Sequence, residues 1–256
     1  MTSSPTRTVE PPVVTGRPRY RETVRRMGGA QKSSKGGPAY SVYVNRRFGR
    51  WAAAAAFTVG LTPNAVTAIS ATFSFAAIVV IALVSGWAAA IAAPLLAVGY
   101  FLDAADGQLA RLRGGGSPAG EWLDHMVDSV KITTLHLAVL IHLWRVTDVD
   151  RGWLLVPMGF VVVAVTLFFA QLLNEQLRRN ARTTDAAAPI EKASPVSALL
   201  KLPHDYGVLC WIFLLLGDAT AFLAAYTFLF VFNAGYLALA LFKWYRDMRA
   251  LSVVPR

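Results

Sequence analysis

The 256-residue sequence contains one cysteine, Cys210, so a disulfide within the chain is impossible and cysteine usage implies no redox compartment. Acidic residues are also scarce, with 15 Asp and Glu against 25 Lys and Arg and a formal net charge of +10. Charged residues make up only 16% of the chain and hydrophobic residues 55%. In so apolar a chain the basic excess points to membrane topology and lipid headgroups, with no nucleic-acid partner. The first 38 residues lack any apolar run. They do not read as a secretory signal, since no hydrophobic core follows a short charged start, and Glu10 and Glu22 weigh against an organelle transit peptide.

What the sequence does have is a series of apolar runs of about 20 residues or more, the length that crosses a hydrocarbon core of roughly 30 Å as a helix. The reading is an all-α integral membrane protein. Residues 1–38 are expected to form a disordered basic tail, and 39–57 an interfacial amphipathic helix carrying Tyr40, Phe48 and Trp51 among Arg46, Arg47 and Arg50. A six-helix membrane catalytic domain over 58–247 and a cytoplasmic tail over 248–256 follow. The spans are placed at about 62–85, 87–112, 118–146, 152–178, 204–217 and 219–246. Lys and Arg concentrate in the two tails, the 111–113 turn and the 178–201 connection, which puts both termini on the cytoplasmic side. No internal repeat of the kind that marks many transporters is evident.

The second and third spans carry four acids that lipid does not favour. An aspartate at the centre of a transmembrane helix costs roughly 2.5–3.5 kcal/mol on insertion scales. Asp103 and Asp106 lie three residues apart on one helix face, Asp124 and Asp128 four apart on another, and the Gly-rich "RGGGS" turn joins the two helices. The four carboxylates can therefore converge near the cytoplasmic end of one helix pair. Four like charges require cations, and an all-oxygen set favours Mg²⁺ or Mn²⁺; two such ions would clamp a phosphoryl group. Gly107, Ala110 and Gly120 clear space for a flat base or ribose, and Arg111 offers a fork for a phosphate. Taken singly, the small residues also suit helix packing and Arg111 suits anchoring. His125 is about 100° around the helix from Asp124, a position that suits packing more than ligation. His204 and Asp205 are expected to cap the fifth span, and Asn233 to join helices.

The string Asp103-x2-Asp106-Gly107-x2-Ala110-Arg111-x8-Gly120-x3-Asp124-x3-Asp128 resembles, at every defined position, the signature of the CDP-alcohol phosphotransferase (CDP-alcohol phosphatidyltransferase) family. The stretch "ARLRGGGS" is similar to the actinobacterial phosphatidylinositol-phosphate synthases. The family resemblance implies a homodimer, a metal site on Asp103, Asp106, Asp124 and Asp128, and a nucleotide held against Asp103, Asp106, Gly107, Ala110, Arg111 and Gly120. It also implies attack by a hydroxyl on the phosphorus of a CDP-linked alcohol, in the commonest case CDP-diacylglycerol, with release of CMP and formation of a phospholipid. Asp128 is the expected general base and equally a metal ligand. Lys131, Arg178, Arg179 and Arg182 are candidates for holding a phosphorylated acceptor such as inositol phosphate or glycerol phosphate, and positive-inside anchoring explains each as well. Gln171, Asn174 and Glu175 are candidates for lining the cavity. The rival reading is a cation or proton transporter using the four aspartates as its ion site.

Overall fold

A computed structural model describes residues 20–29, 38–182 and 202–251, and within them every regular element is helical. Helix α1 covers Tyr20–Gly29. A wide turn over Ser41–Asn45 leads into α2, Arg46–Thr58. Then come α3 (Pro63–Leu83), α4 (Ala92–Leu112, entered through a tighter turn over Gly86–Ile91), α5 (Pro118–Val146) and α6 (Leu155–Arg182, entered through Arg151–Leu154). Helix α7, Tyr206–Ile212, tightens over Phe213–Gly217, and α8 runs from Ala219 to Leu251.

Local chemistry fixes these starts. Thr62 accepts from the Ala65 N–H at 3.2 Å and Ser117 from the Gly120 N–H at 3.0 Å, each with proline at the first helical position. Asp205 caps α7 through the Gly207 N–H at 3.0 Å, as expected, and Asp218 caps α8 through Thr220 and Ala221.

Five helical stretches of the described residues are long and apolar enough to cross a membrane: Pro63–Leu83, Gly86–Leu112, Pro118–Val146, Arg151–Asn180 and Ala219–Ala250. They fall where the first four spans and the last were expected. The segment expected as the fifth span is a shorter apolar helix, Tyr206–Gly217, and its 12 residues reach only about 18 Å. The Arg- and Pro-rich stretch before α2 also differs from the expectation of disorder, because residues 20–29 are helical. Thr23 is buried, Val24 packs onto the cluster formed by Ala53, Ala54, Val66 and Leu109, and the Tyr20 hydroxyl donates to the Trp51 carbonyl at 3.4 Å. An apolar stripe too sparse to register as a run is enough to dock one short helix.

The core runs through the bundle from Ile81, Leu96 and Leu135 to Phe160, Phe213, Phe222 and Tyr226. Two close approaches set how α3 and α2 sit on α4. At Gly99 an added Cβ would strike the Ser74 hydroxyl and lie 3.2 Å from the Ser70 carbonyl. At Gly49 it would lie 3.0 Å from the Ala104 side chain, so α2 lays its buried face, Asn45, Gly49, Ala53 and Ala56, along α4 at the level of Asp103 and Asp106. Phe48 and Trp51 remain exposed on its other side.

Gly99→Leu is therefore expected to lower the thermal midpoint in detergent, by an overpacking penalty of about 1–3 kcal/mol or more. Gly235→Ala, where nothing lies within 4 Å, should leave the midpoint unchanged or raise it. Equal midpoints for the two variants would show that the close contact of α3 with α4 is wrong.

Candidate active site

The turn between α4 and α5 contains Gly114 and Gly115 with φ of 98° and 123°, a conformation that needs glycine. It reverses the chain, yet α4 and α5 are not close backbone neighbours over their length; α3 packs against both. The space left between them holds the acidic cluster. A single side chain ties the two helices together across it. The Lys131 ammonium lies 3.1 Å from Asp103 Oδ1 on α4 and 2.5 Å from Asp128 Oδ1 on its own helix, and Lys131 is only 4% exposed. On α4, Asp106 accepts from the Thr67 hydroxyl at 2.5 Å. On α5, ligand atoms of Asp124, His125 and Asp128 lie within 4.8 Å of one another.

Two adjoining cavities meet at this cluster. One, of about 240 Å³, is lined by Asp103, Asp106, Gly107, Arg111 and Asp124, with Asn45 and Arg46 of the preceding segment closing it. The other, of about 570 Å³, is lined by Asp106, Gly107, Ala110, Arg111, Gly120 and Asp124, with Asn64 and Thr67 of α3. Every residue expected at the nucleotide thus borders one cavity or both. A Cβ on Gly120 would sit 3.2 Å from the Asn64 side-chain oxygen, so glycine keeps that wall open. The donor set is carboxylate oxygen from two helices with one imidazole beside it, which fits a hard divalent cation.

Of the cations expected at a phosphorylated acceptor, each one described has a carboxylate partner. Lys131 is committed to Asp103 and Asp128. Arg178 pairs with Asp247 at 2.7 Å, and Arg179 with Glu121 at 2.8 Å and Glu175 at 2.6 Å. Arg178 and Arg179 border a further space with Gln171, Asn174, Glu175 and Trp244, and Arg179 also lines the larger cavity beside Glu121 and Asp124. The side chain of Arg182, like Lys192 and Lys201, lies outside the described residues. Each of these pairings lies on the cation's own helix or a neighbour, and charge counting along the chain overlooks it.

Three site residues were not legible as such. Thr67 sits in an apolar span with no mark of its own until Asp106 is seen to need a donor. Tyr100, one turn before Asp103, sends its hydroxyl toward Asp205 Oδ1 at 3.5 Å. His125 is offset from Asp124 around the helix, but its side chain is long enough to reach the carboxylates beside it. His136 and His142 are satisfied inside the bundle, by the Tyr226 hydroxyl at 2.6 Å and the Ile81 carbonyl at 2.8 Å.

A family model for CDP-alcohol phosphatidyltransferase matches residues 60–242, and the chain belongs to that family. It is accordingly a membrane-embedded transferase of phosphate-containing groups in phospholipid biosynthesis, and the transporter alternative falls away. A comparison with curated proteins returns no match. Among solved structures the chain is similar to Mycobacterium tuberculosis phosphatidylinositol phosphate synthase in complex with manganese and citrate, with 21% identity over 75% of this chain and 87% of that one and a TM-score of 0.47. It is similar also to the same synthase with CDP-DAG bound, with 19% identity over 79% and 94% and a TM-score of 0.47.

Removing the tie between α4 and α5 should be costly. Lys131→Met leaves two buried carboxylates without their ammonium, a loss of about 3–5 kcal/mol by the measure of broken buried ion pairs. The thermal midpoint of this variant should fall, and millimolar Mn²⁺ should restore more of it than in the unmodified protein. A variant as stable as the parent without metal would mean that the ion pairs do not hold the helices.

Proposed function

We propose that the chain transfers the phosphatidyl group of CDP-diacylglycerol to a hydroxyl acceptor, with release of CMP, using divalent ions, Mg²⁺ or Mn²⁺, at the aspartate cluster. The observation that supports this most is the joining of the acidic cavity to the larger one through Asp106, Gly107, Arg111 and Asp124, which places carboxylates beside a space of nucleotide size. The ions would be held by Asp103, Asp106, Asp124 and Asp128. When bound they would neutralise the diphosphate and stabilise the departing CMP phosphate.

The protein's own groups supply the rest. Gly107, Ala110 and Gly120 let the cytidine and ribose approach the helices, and Arg111 presents its guanidinium to the diphosphate. Asp128 takes the proton of the acceptor hydroxyl as that oxygen bonds to the phosphorus carrying diacylglycerol. The bond from that phosphorus to the CMP oxygen breaks, and the electron pair leaves on CMP. Lys131 fixes the orientation of the Asp128 carboxylate meanwhile. The protein works as a homodimer in a bacterial plasma membrane, with six spans, Tyr206–Gly217 included, and with the termini and the cavity mouth cytoplasmic.

The purified full chain, given CDP-diacylglycerol, Mg²⁺ and a panel of alcohols, should release CMP, and EDTA should abolish release. Asp106→Asn and Asp124→Asn should each lose turnover completely. Asp128→Asn should lose far more in kcat than in donor affinity. Full activity in EDTA, or in two of these variants, contradicts the metal reading, and equal loss of donor and metal binding in Asp128→Asn makes that residue a ligand only. Topology has its own check. In a Cys210→Ser background, a cysteine introduced at Thr184 should resist an impermeant thiol reagent added to intact cells and react once the membrane is opened. Reaction from outside would overturn the arrangement of spans.

A further inference from the structure

A third cavity, of about 430 Å³, lies deeper in the bundle, and no residue of the family signature lines it. It is bounded by α5, α6, α8 and the segment Leu202–Asp205, and it shares Ser41 and Tyr100 with the acidic cavity. Its volume falls in the range of small-molecule sites. It also lies close to the reacting groups. Ile132, one turn beyond Asp128 on α5, forms part of its wall, and so does Tyr206, whose ring centre is 5.7 Å from the Lys131 ammonium that pairs with Asp128.

The segment Leu202–Asp205 marks this space as built for a ligand. Helix α7 with its tightened end reaches only about 18 Å, and the chain just before it meets the middle of two long spans: His204 Nδ1 lies 2.7 Å from the Asn233 side-chain oxygen on α8, and Asp205 faces Tyr100 at 3.5 Å. The segment is a single tight helical turn, Leu202–His204, along the cavity wall. Here it carries a polar chain, with the Gln171 amide 3.3 Å from His204 Nε2 and the Asn233 amide donating to the Pro203 carbonyl at 3.1 Å. Much of the remaining wall is apolar, including Phe160, Leu167 and Leu229, with Ser41, His136 and Tyr236 among it. The Tyr206 hydroxyl is buried there with no hydrogen-bond partner among the described residues, a donor whose desolvation a ligand oxygen would offset.

The charge of the wall selects the ligand. Among the described residues no Lys or Arg lines this cavity, whereas Asp205 does. A phosphate monoester would enter beside a carboxylate with no cation to receive it, and burial of an unpaired charge is strongly disfavoured. A hydroxyl group suits the Tyr206, His204, Asn233 and Gln171 positions, and an apolar body suits the rest.

Resting on the phosphatidyl-transfer reading, we propose that this cavity is the acceptor site and that the acceptor is an uncharged alcohol with an apolar portion, not a phosphorylated polyol.

The test uses the full chain in nanodiscs with CDP-diacylglycerol and Mg²⁺, following CMP release and the mass of the lipid product. Monoacylglycerol, glycerol and inositol are compared with glycerol 3-phosphate and inositol 1-phosphate. The uncharged alcohols, monoacylglycerol foremost, should exceed the phosphorylated ones at least tenfold in kcat/KM. Tyr206→Phe removes only an unpartnered hydroxyl, so it should fold normally; it should raise the acceptor KM about tenfold and leave the KM for CDP-diacylglycerol unchanged. Preference for a phosphorylated acceptor would overturn the assignment. So would a Tyr206→Phe effect confined to the donor, which would place the donor's acyl chains in the cavity. Absence of CMP release with every acceptor would remove the phosphatidyl-transfer reading itself, and this assignment with it.

Discussion

The structure depends on one buried ammonium between two carboxylates. Lys131 joins Asp103 on α4 to Asp128 on α5, and these helices have little other direct backbone contact. In a medium of low dielectric constant an isolated carboxylate is heavily penalised, so the acidic cluster persists only because cations and donors are supplied to it. Lys131 serves two aspartates and Thr67 serves Asp106. What remains is a set of oxygen ligands facing two adjoining cavities. Holding the helices apart and holding the charges together are thus one task, performed by one side chain.

Much of this was legible in the sequence because the requirements are local. Thr62-Pro63 and Ser117-Pro118 announce helix starts through capping geometry that needs only neighbouring atoms, and both appear in the structure as read. The glycines at 114 and 115 adopt the backbone angles that a reversal between α4 and α5 requires. The spacing of the aspartates places each pair on one helix face without reference to the rest of the fold.

What was not legible depends on partners distant in sequence. Arg178 pairs with Asp247, 69 residues away, and Arg179 with Glu121, 58 residues away. Nothing along the chain signals such pairings. Helix α1 was missed for a similar reason, since Val24 finds its apolar neighbours on α2, α3 and α4 and not within its own run. The segment around His204 read as a plain helix cap. Its meaning comes from the level at which it meets Asn233 and Tyr100, which only the packed bundle defines.

The proposed chemistry rests on the aspartates binding a divalent cation, and the most direct measurement is of the ion itself. Mn²⁺ titrated into the full chain in nanodiscs, followed by electron paramagnetic resonance, should show tight uptake that is lost in Asp106→Asn and Asp124→Asn and unaffected by Arg178→Ala, whose guanidinium pairs with Asp247. Uptake at the same affinity in the two aspartate variants as in the parent would contradict the account.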